Sequence, residues 1–217
     1  MRIATQRDIE AGLAALVRLD PRLAAVAAVA GEVPLRASAG GLPGLIAIVM
    51  AQQVSKASAE AIFGRLSASV PLHDAAAILD AGEERLRAAG LSRPKMRTLR
   101  ALAQAVREGR LDFARLETLP APAAIAELAA VKGIGRWTAE CHLLFACGHP
   151  DLFPAGDLAL QIAVQRAFGL ESRPTEKALA ALAEGFSPHR SVAARLFWRY
   201  YAATGGRDAA PAPGIAA

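Results

Sequence analysis

The sequence predicts an all-α fold. Apolar side chains recur three and four positions apart along nearly the whole chain, strand-like alternation is almost absent, and prolines and glycines stand where helices should open and close. Ile9, Leu13, Leu16 and Val17 define a first amphipathic helix, and the apolar run Leu23 to Ala30 follows it. Glu32 to Ala37 is the best strand candidate, but Pro34 inside it argues against a place in a ladder. Leu42 to Ala51, with Pro43 in a first turn, leads to a Gln52-Gln53 terminus. Ala59, Ile62, Phe63 and Leu66 mark the next helix. Met96, Leu99, Ala103 and Val106 mark another, opened by Pro94 and bounded by Gly90 and Gly109. Pro122 opens a helix carrying Ile125, Leu128 and Ala129. Leu160, Ala163, Val164, Ala167 and Phe168 form one stripe, and Val192, Leu196, Phe197 and Tyr200 the last. The expectation is about nine or ten helices with short connections and no internal repeat. Gly205 to Ala217 reads as a frayed, flexible tail.

Composition narrows the function. Of 217 residues, 53% are hydrophobic and 21% charged, enough apolar surface to offset the entropy of folding. The longest apolar runs fall short of the roughly 18 to 20 residues that a bilayer crossing needs, so no membrane partner is expected. Met1 to Glu10 carries four charged residues with no apolar stretch behind them, unlike a secretory signal. Two cysteines cannot make a disulfide framework. A cytoplasmic location is therefore expected. The net charge of +5 is uneven: residues 1–90 hold nine basic and nine acidic side chains, residues 91–217 sixteen and eleven. Twenty-one of the 25 basic residues are Arg, which suits bidentate phosphate contacts. High-GC coding bias gives the same preference, and composition does not separate the two readings.

The most informative segment spans about 123–147 and includes AIAELAAVKGIGRWTAECHLLF, Ala124 to Phe145. One helix ends at Lys132, Gly133-Ile134-Gly135 makes a tight reversal with Ile134 as its plug, and a second helix starts near Arg136. On that helix Trp137, Cys141, Leu144 and Phe145 fall on one stripe. Amides at the head of the second helix, with the helix dipole, suit a phosphate oxygen. Lys132 and Arg136 flank the turn as phosphate contacts, whereas the basic series Arg93, Lys95, Arg97, Arg100, Arg107 and Arg110 reads as a solvated face. Twenty residues past Trp137, Phe153-Pro154-Ala155-Gly156-Asp157 opens the next helix.

Gly-Ile-Gly-Arg-Trp-Thr-Ala followed by Phe-Pro-Ala-Gly-Asp resembles the helix-hairpin-helix DNA glycosylase superfamily, within it the 3-methyladenine DNA glycosylases. Ala51-Gln52-Gln53-Val54-Ser55, Leu91-Ser92-Arg93-Pro94-Lys95, and Pro188-His189-Arg190-Ser191 with Trp198 extend it, over roughly residues 10–203. The resemblance implies two helical subdomains with a cleft between them in one domain, residues 1–204. One subdomain covers about 40–150; the other is formed by about 1–39 plus 151–204. With about 40 residues ahead of the Gln52-Gln53 helix, the chain resembles the compact form without an N-terminal β domain.

The resemblance assigns roles residue by residue, each beside a bland alternative. Asp157 is the catalytic carboxylate; read locally, it is an N-cap. A carboxylate near the anomeric carbon stabilises the oxocarbenium-like state and orients a water, and a cationic alkylated purine leaves without a second carboxyl acting as acid. Trp137 stands where lyase members carry a catalytic Lys, and its indole would stack on the extruded purine; alternatively it is a core side chain. Gln53 would fill the gap left by the flipped nucleotide, or simply end a helix. Gly133, Gly135 and Thr138 complete the expected DNA contacts with Lys132 and Arg136. His189 is expected at the base, the alternative being a solvent-facing turn. Phe186 replaces a Trp found in many relatives, which leaves base selectivity open.

Cys141, His142, Cys147 and His149 match no metal-ligand spacing, and the four-Cys loop of an iron–sulfur branch is absent. No cofactor and no side-chain metal site is expected; the resemblance implies only a monovalent cation on hairpin carbonyls. The expected function is monofunctional excision of alkylated purines from damaged double-stranded DNA, by a monomer, leaving an abasic site. A non-catalytic hairpin DNA-binding module and a bifunctional glycosylase with lyase activity are the alternatives.

Overall fold

The computed structural model describes residues 2–210, and among them thirteen α-helices, one 3-10 turn and no strand. The chain forms two compact units, one of Met1–Ala37 with Gly148–Ala210, the other containing Ser38–Cys147. Residues 211–217 of the expected tail lie outside the described part.

The continuous unit carries α3 (Gly41–Ala51), α4 (Lys56–Ser69), α5 (Ala75–Asp80), α6 (Glu83–Ala88), α7 (Arg93–Arg107), α8 (Phe113–Leu116), α9 (Ala121–Ala129) and α10 (Arg136–Phe145). Helix α3 is apolar nearly all round, and Leu42, Leu45, Ile46, Ile48, Val49 and Met50 are all buried, so it runs through the centre of this unit against α4, α7 and α10. Gly44 lets the α3 backbone lie directly on the carbonyl of Ala39, where any Cβ would collide. Helix α10 is enclosed as well, with every residue from Thr138 to Phe145 buried.

The discontinuous unit carries α1 (Gln6–Leu19), α2 (Leu23–Ala30), α11 (Leu158–Phe168), α12 (Glu176–Ala183), the 3-10 turn Glu184–Phe186 and α13 (Arg190–Ala203). Helix α13 is its axis: Ser191 to Trp198 are consecutively buried, and α1, α2 and α11 pack around it. At Gly12 the side chain of Val192 sits 2.7 Å from where a Cβ would be, so α1 meets α13 through a residue without a side chain. Phe153, Phe168 and Phe186 surround Phe197 with ring centroids 5.8 to 6.3 Å away. Arg195, 4% exposed, reaches the carbonyls of Leu35 and Ser191, and burial lowers its pKa to about 10.

Two sequence expectations need correction, the number of helices and the end of the first hairpin helix. Thirteen α-helices replace nine or ten, because α5, α6, α8 and α12 have four to eight residues, too few for a period of 3.6 to declare itself. Asp74 and Asp112 cap two of them, each accepting two amide hydrogen bonds, and these caps are the local signal. The first hairpin helix ends at Ala129, not Lys132; Val131 N–H to Leu128 O and Ile134 N–H to Val131 O turn the chain early. Glu32 to Ala37 is irregular, and the Gln6 side chain bonds both Val33 O and Leu35 N–H. Beyond α13, Asp208 pairs with Arg36 at 2.8 Å.

Candidate active site and nucleic-acid interface

Asp157 is the N-cap of α11, with its Oδ1 accepting from Leu160 N–H at 3.0 Å. The same oxygen accepts from the indole Nε1–H of Trp198 at 3.2 Å. Cap and directed carboxylate are therefore compatible: the cap bond sets the side-chain torsion and the indole fixes it from α13. Trp198 is 1% exposed, so its donor is held rigidly, while Asp157 retains 9% exposure and its neighbours Gly156 and Leu158 are exposed. The preceding Phe153, Pro154 and Ala155 are buried, and Gln161 Nε2 holds Ala155 O. The partner Trp198 lies 41 positions away in sequence, and no local pattern connects the two.

A second network fixes the turn that carries His189. Asp151 accepts from Arg190 N, Nε and Nη2 and from Ser187 Oγ at 2.8 to 3.2 Å. Ser191 Oγ accepts from Leu152 N–H and donates to Leu152 O. Burial alone would raise the Asp151 pKa, but the Arg190 and Ser187 hydrogen bonds outweigh it and hold the carboxyl below its ordinary value. His189 itself is half-buried just ahead of α13, with its N–H on Phe186 O at 2.8 Å. His149 has its pKa lowered by burial against the pull of Asp151, and its Nδ1 accepts from Asp151 N–H.

In the other unit the hairpin takes the form that its sequence requires, with one qualification. Gly133 has φ +92° and lies against the Thr98 side chain, so both its conformation and its packing exclude a Cβ. Ile134 is buried as the plug. Gly135, the N-cap of α10, has φ −88° and open space where a methyl group would stand, so the fold itself does not demand glycine there. Its bare backbone leaves room for another molecule to approach. Ala139 N–H to Gly135 O closes the first turn of α10.

Lys132 and Arg136 are exposed beside this turn, and Arg136 Nε pairs with the buried Glu140 at 2.8 Å. Thr138 is different: it is buried, and its Oγ1 accepts from Gln52 Nε2 at 2.8 Å. Trp137 is half-buried, on the stripe whose other members, Cys141, Leu144 and Phe145, are buried. Gln53 follows α3, is exposed, and has φ +58°. The Gln52–Thr138 bond thus joins the Gln-Gln turn to the hairpin helix. Asp157 and His189 lie in the discontinuous unit and the hairpin residues in the continuous one. Of the remaining candidates, Cys141 and His142 are buried and Cys147 is half-buried; His142 packs edge-on against Phe113 at 5.6 Å.

A model of the HhH-GPD superfamily of base excision DNA repair proteins matches residues 46–188. The crystal structure of a DNA-3-methyladenine glycosidase from Bacillus halodurans superposes with TM-score 0.77 at 33% identity, covering 86% of this chain and 87% of that one. The Schizosaccharomyces pombe 3-methyladenine DNA glycosylase Mag1, in complex with abasic DNA, gives 0.79 at 29% identity, covering 91% and 98%. DNA-3-methyladenine glycosylase 1 of Schizosaccharomyces pombe is 32% identical over 159 residues, 71% of this chain and 70% of that protein. The match to a Bacillus subtilis relative spans only 33% of that protein's length. No described helix is long and apolar enough to cross a membrane. With two thirds of the sequence under the family model and the hairpin and capped aspartate in place, the chain belongs to the HhH-GPD superfamily of base excision DNA repair proteins.

Proposed function

We propose that this protein is a monofunctional DNA glycosylase that binds damaged duplex DNA as a cytoplasmic monomer, everts an alkylated purine of the 3-methyladenine type and hydrolyses its N-glycosidic bond. The observation that carries the reading is Asp157, fixed at the head of α11 by Leu160 N–H and Trp198 Nε1–H yet still reachable by solvent. The similarity to named 3-methyladenine enzymes at 29% and 33% identity supports the same substrate class.

The chemistry follows from charge. An N-alkylated purine is cationic, so the bond between C1′ and the base nitrogen breaks with its electron pair moving to the ring, which leaves as a neutral base. Positive charge then grows on the sugar, and the Asp157 carboxylate stabilises it and orients the attacking water. Water adds to C1′, its proton passes to solvent, and an abasic site remains. Two donors on Oδ1 restrain the carboxylate at the moment of reaction, so little reorganisation is needed.

Trp137 selects the cationic base by stacking an electron-rich face on it. With indole and not amine at this position, no Schiff base with the sugar forms there, and the backbone stays intact. Gly133, Gly135 and the head of α10 hold phosphate through backbone amides, with Lys132 and Arg136 adding charge. His189 contacts the everted base from the start of α13.

The test is incubation of methylated duplex DNA with wild type and Asp157→Asn, with chromatography of the freed bases and a gel for nicked strands. Wild type should release N-alkylated purine without nicking, and Asp157→Asn should lose at least about 100-fold in release rate while still binding DNA. Near wild-type release by Asp157→Asn would overturn the assignment.

A further inference from the structure

The turn between α3 and α4 is short, strained and fastened at its root. Gln52 has extended backbone angles and caps α3, Gln53 lies in the left-handed region at φ +58°, and Ser55 begins α4 by accepting Ser58 N–H at 3.2 Å. The left-handed region is unfavourable for a residue with a side chain, so surrounding bonds must hold it. Two side chains from the same unit do so. Gln52 Nε2 donates to Thr138 Oγ1 on α10 at 2.8 Å, and Lys95 Nζ on α7 donates to Met50 O, in the last turn of α3, at 2.7 Å. The tip behaves oppositely: Gln53 and Val54 are exposed, Val54 by 40% despite its apolar side chain.

Lys95 also differs from the basic residues around it. Arg93, Arg97, Arg107 and Arg110 are exposed, whereas Lys95 is half-buried, and that burial lowers its pKa. An ammonium on a terminal carbonyl of α3 forms a charge-assisted bond and complements the negative end of the helix dipole. The cost of withdrawing an ammonium from water is met at this one carbonyl.

We propose that Lys95 is a positioning residue for base extrusion: by gripping Met50 O it holds the α3–α4 turn so that Gln53 is already presented to the gap that an everted nucleotide leaves. This rests on the glycosylase reading above. A preset tip fills the gap without first losing the conformational freedom of a loose turn, so extrusion is favoured without any contact between Lys95 and DNA.

The experiment separates extrusion from the bond cleavage that follows it. Single-turnover release of 7-methylguanine is measured from two oligonucleotide duplexes, one with the lesion opposite cytosine and one opposite a tetrahydrofuran abasic analogue, where extrusion is cheap and no orphan base needs filling. Lys95→Met, which keeps the apolar stem, should slow release about tenfold opposite cytosine and less than twofold opposite the analogue. Lys95→Arg should recover most of the rate, and Gln53→Ala should show the same selectivity as Lys95→Met. Each preparation reports on both duplexes, so partial misfolding lowers both rates together. Equal losses on the two duplexes, or no loss, for Lys95→Met while Gln53→Ala remains selective overturns the role of Lys95 alone. Absence of selectivity in Gln53→Ala removes the gap-filling role on which the proposal rests, and no release of any alkylated purine from methylated duplex by wild type removes the glycosylase reading itself.

Discussion

Trp198 illustrates how much one buried donor can decide. Its Nε1–H is the bond that ties Asp157 to α13, while the Leu160 amide ties it only to its own helix. Trp198→Phe removes the donor and part of the ring but keeps an aromatic in the core. A typical net hydrogen bond of about 1 kcal/mol predicts a roughly five- to tenfold fall in base release, with DNA affinity unchanged, in single-turnover assays beside binding titrations. The lost ring volume should also lower stability by about 1–3 kcal/mol, visible in denaturant melts. Trp198→Leu should lose the same donor and more packing, so agreement of the two variants in release rate assigns the effect to the N–H. Asp151 acts by a similar principle at the turn before α13, where one carboxylate collects four donors from Ser187 and Arg190.

At the scale of elements, the hairpin between α9 and α10 separates two uses of glycine that its sequence presents as equivalent. Gly133 is needed by the fold, through φ +92° and the contact with Thr98; Gly135 is needed by neither. Gly133→Ala should therefore destabilise the protein by about 2 kcal/mol or more, read from a thermal or denaturant midpoint. Gly135→Ala should leave that midpoint nearly unchanged and, if the proposed phosphate contact lies at this turn, weaken binding to duplex DNA, because the methyl group would stand in the open space there. Parallel losses of stability in both variants would refute the division.

The elements also show what the sequence makes legible. The all-α class, the long helices and the hairpin followed by Asp157 all come from patterns within a few residues: a 3.6-residue period, a Gly-x-Gly turn, an Asp before an apolar helix. The pairings that build the site do not. Trp198 lies 41 residues from Asp157, Arg190 lies 39 from Asp151, and Lys95 lies 45 from Met50. Periodicity tells which face of a helix is buried but not which side chain of a distant helix will meet it. For the same reason no local pattern announces the bond by which the Thr138 hydroxyl, 86 residues away, receives Gln52.

For the molecule as a whole, His142 makes stability depend on pH. Its ring is fully buried, both nitrogens lack a hydrogen-bond partner among the described residues, and burial lowers its pKa from 6.5 to about 4. The folded state therefore binds fewer protons than the unfolded chain between pH 6.5 and 4. The stability present above pH 6.5 is lost progressively as pH falls through that window, by up to about 3 kcal/mol. Urea melts across this range should show the loss, and His142→Leu, which has no proton to gain, should reduce it to the smaller part that half-buried His149 contributes. A slope in His142→Leu equal to that of wild type would place the dependence elsewhere.

The split composition of the unit built on α13 bears on how the chain reaches its native state. Helices α1 and α2 pack on α13, yet Arg190 lies 160 positions beyond Ala30. Leu23, Val26 and Ala30, fully enclosed at the end, have no lasting shelter while the intervening chain is being made, whereas the α3 to α10 segment is contiguous and can condense first. A ribosome stalled before α13 would thus hold one finished body and one pair of sticky, protease-sensitive helices awaiting closure.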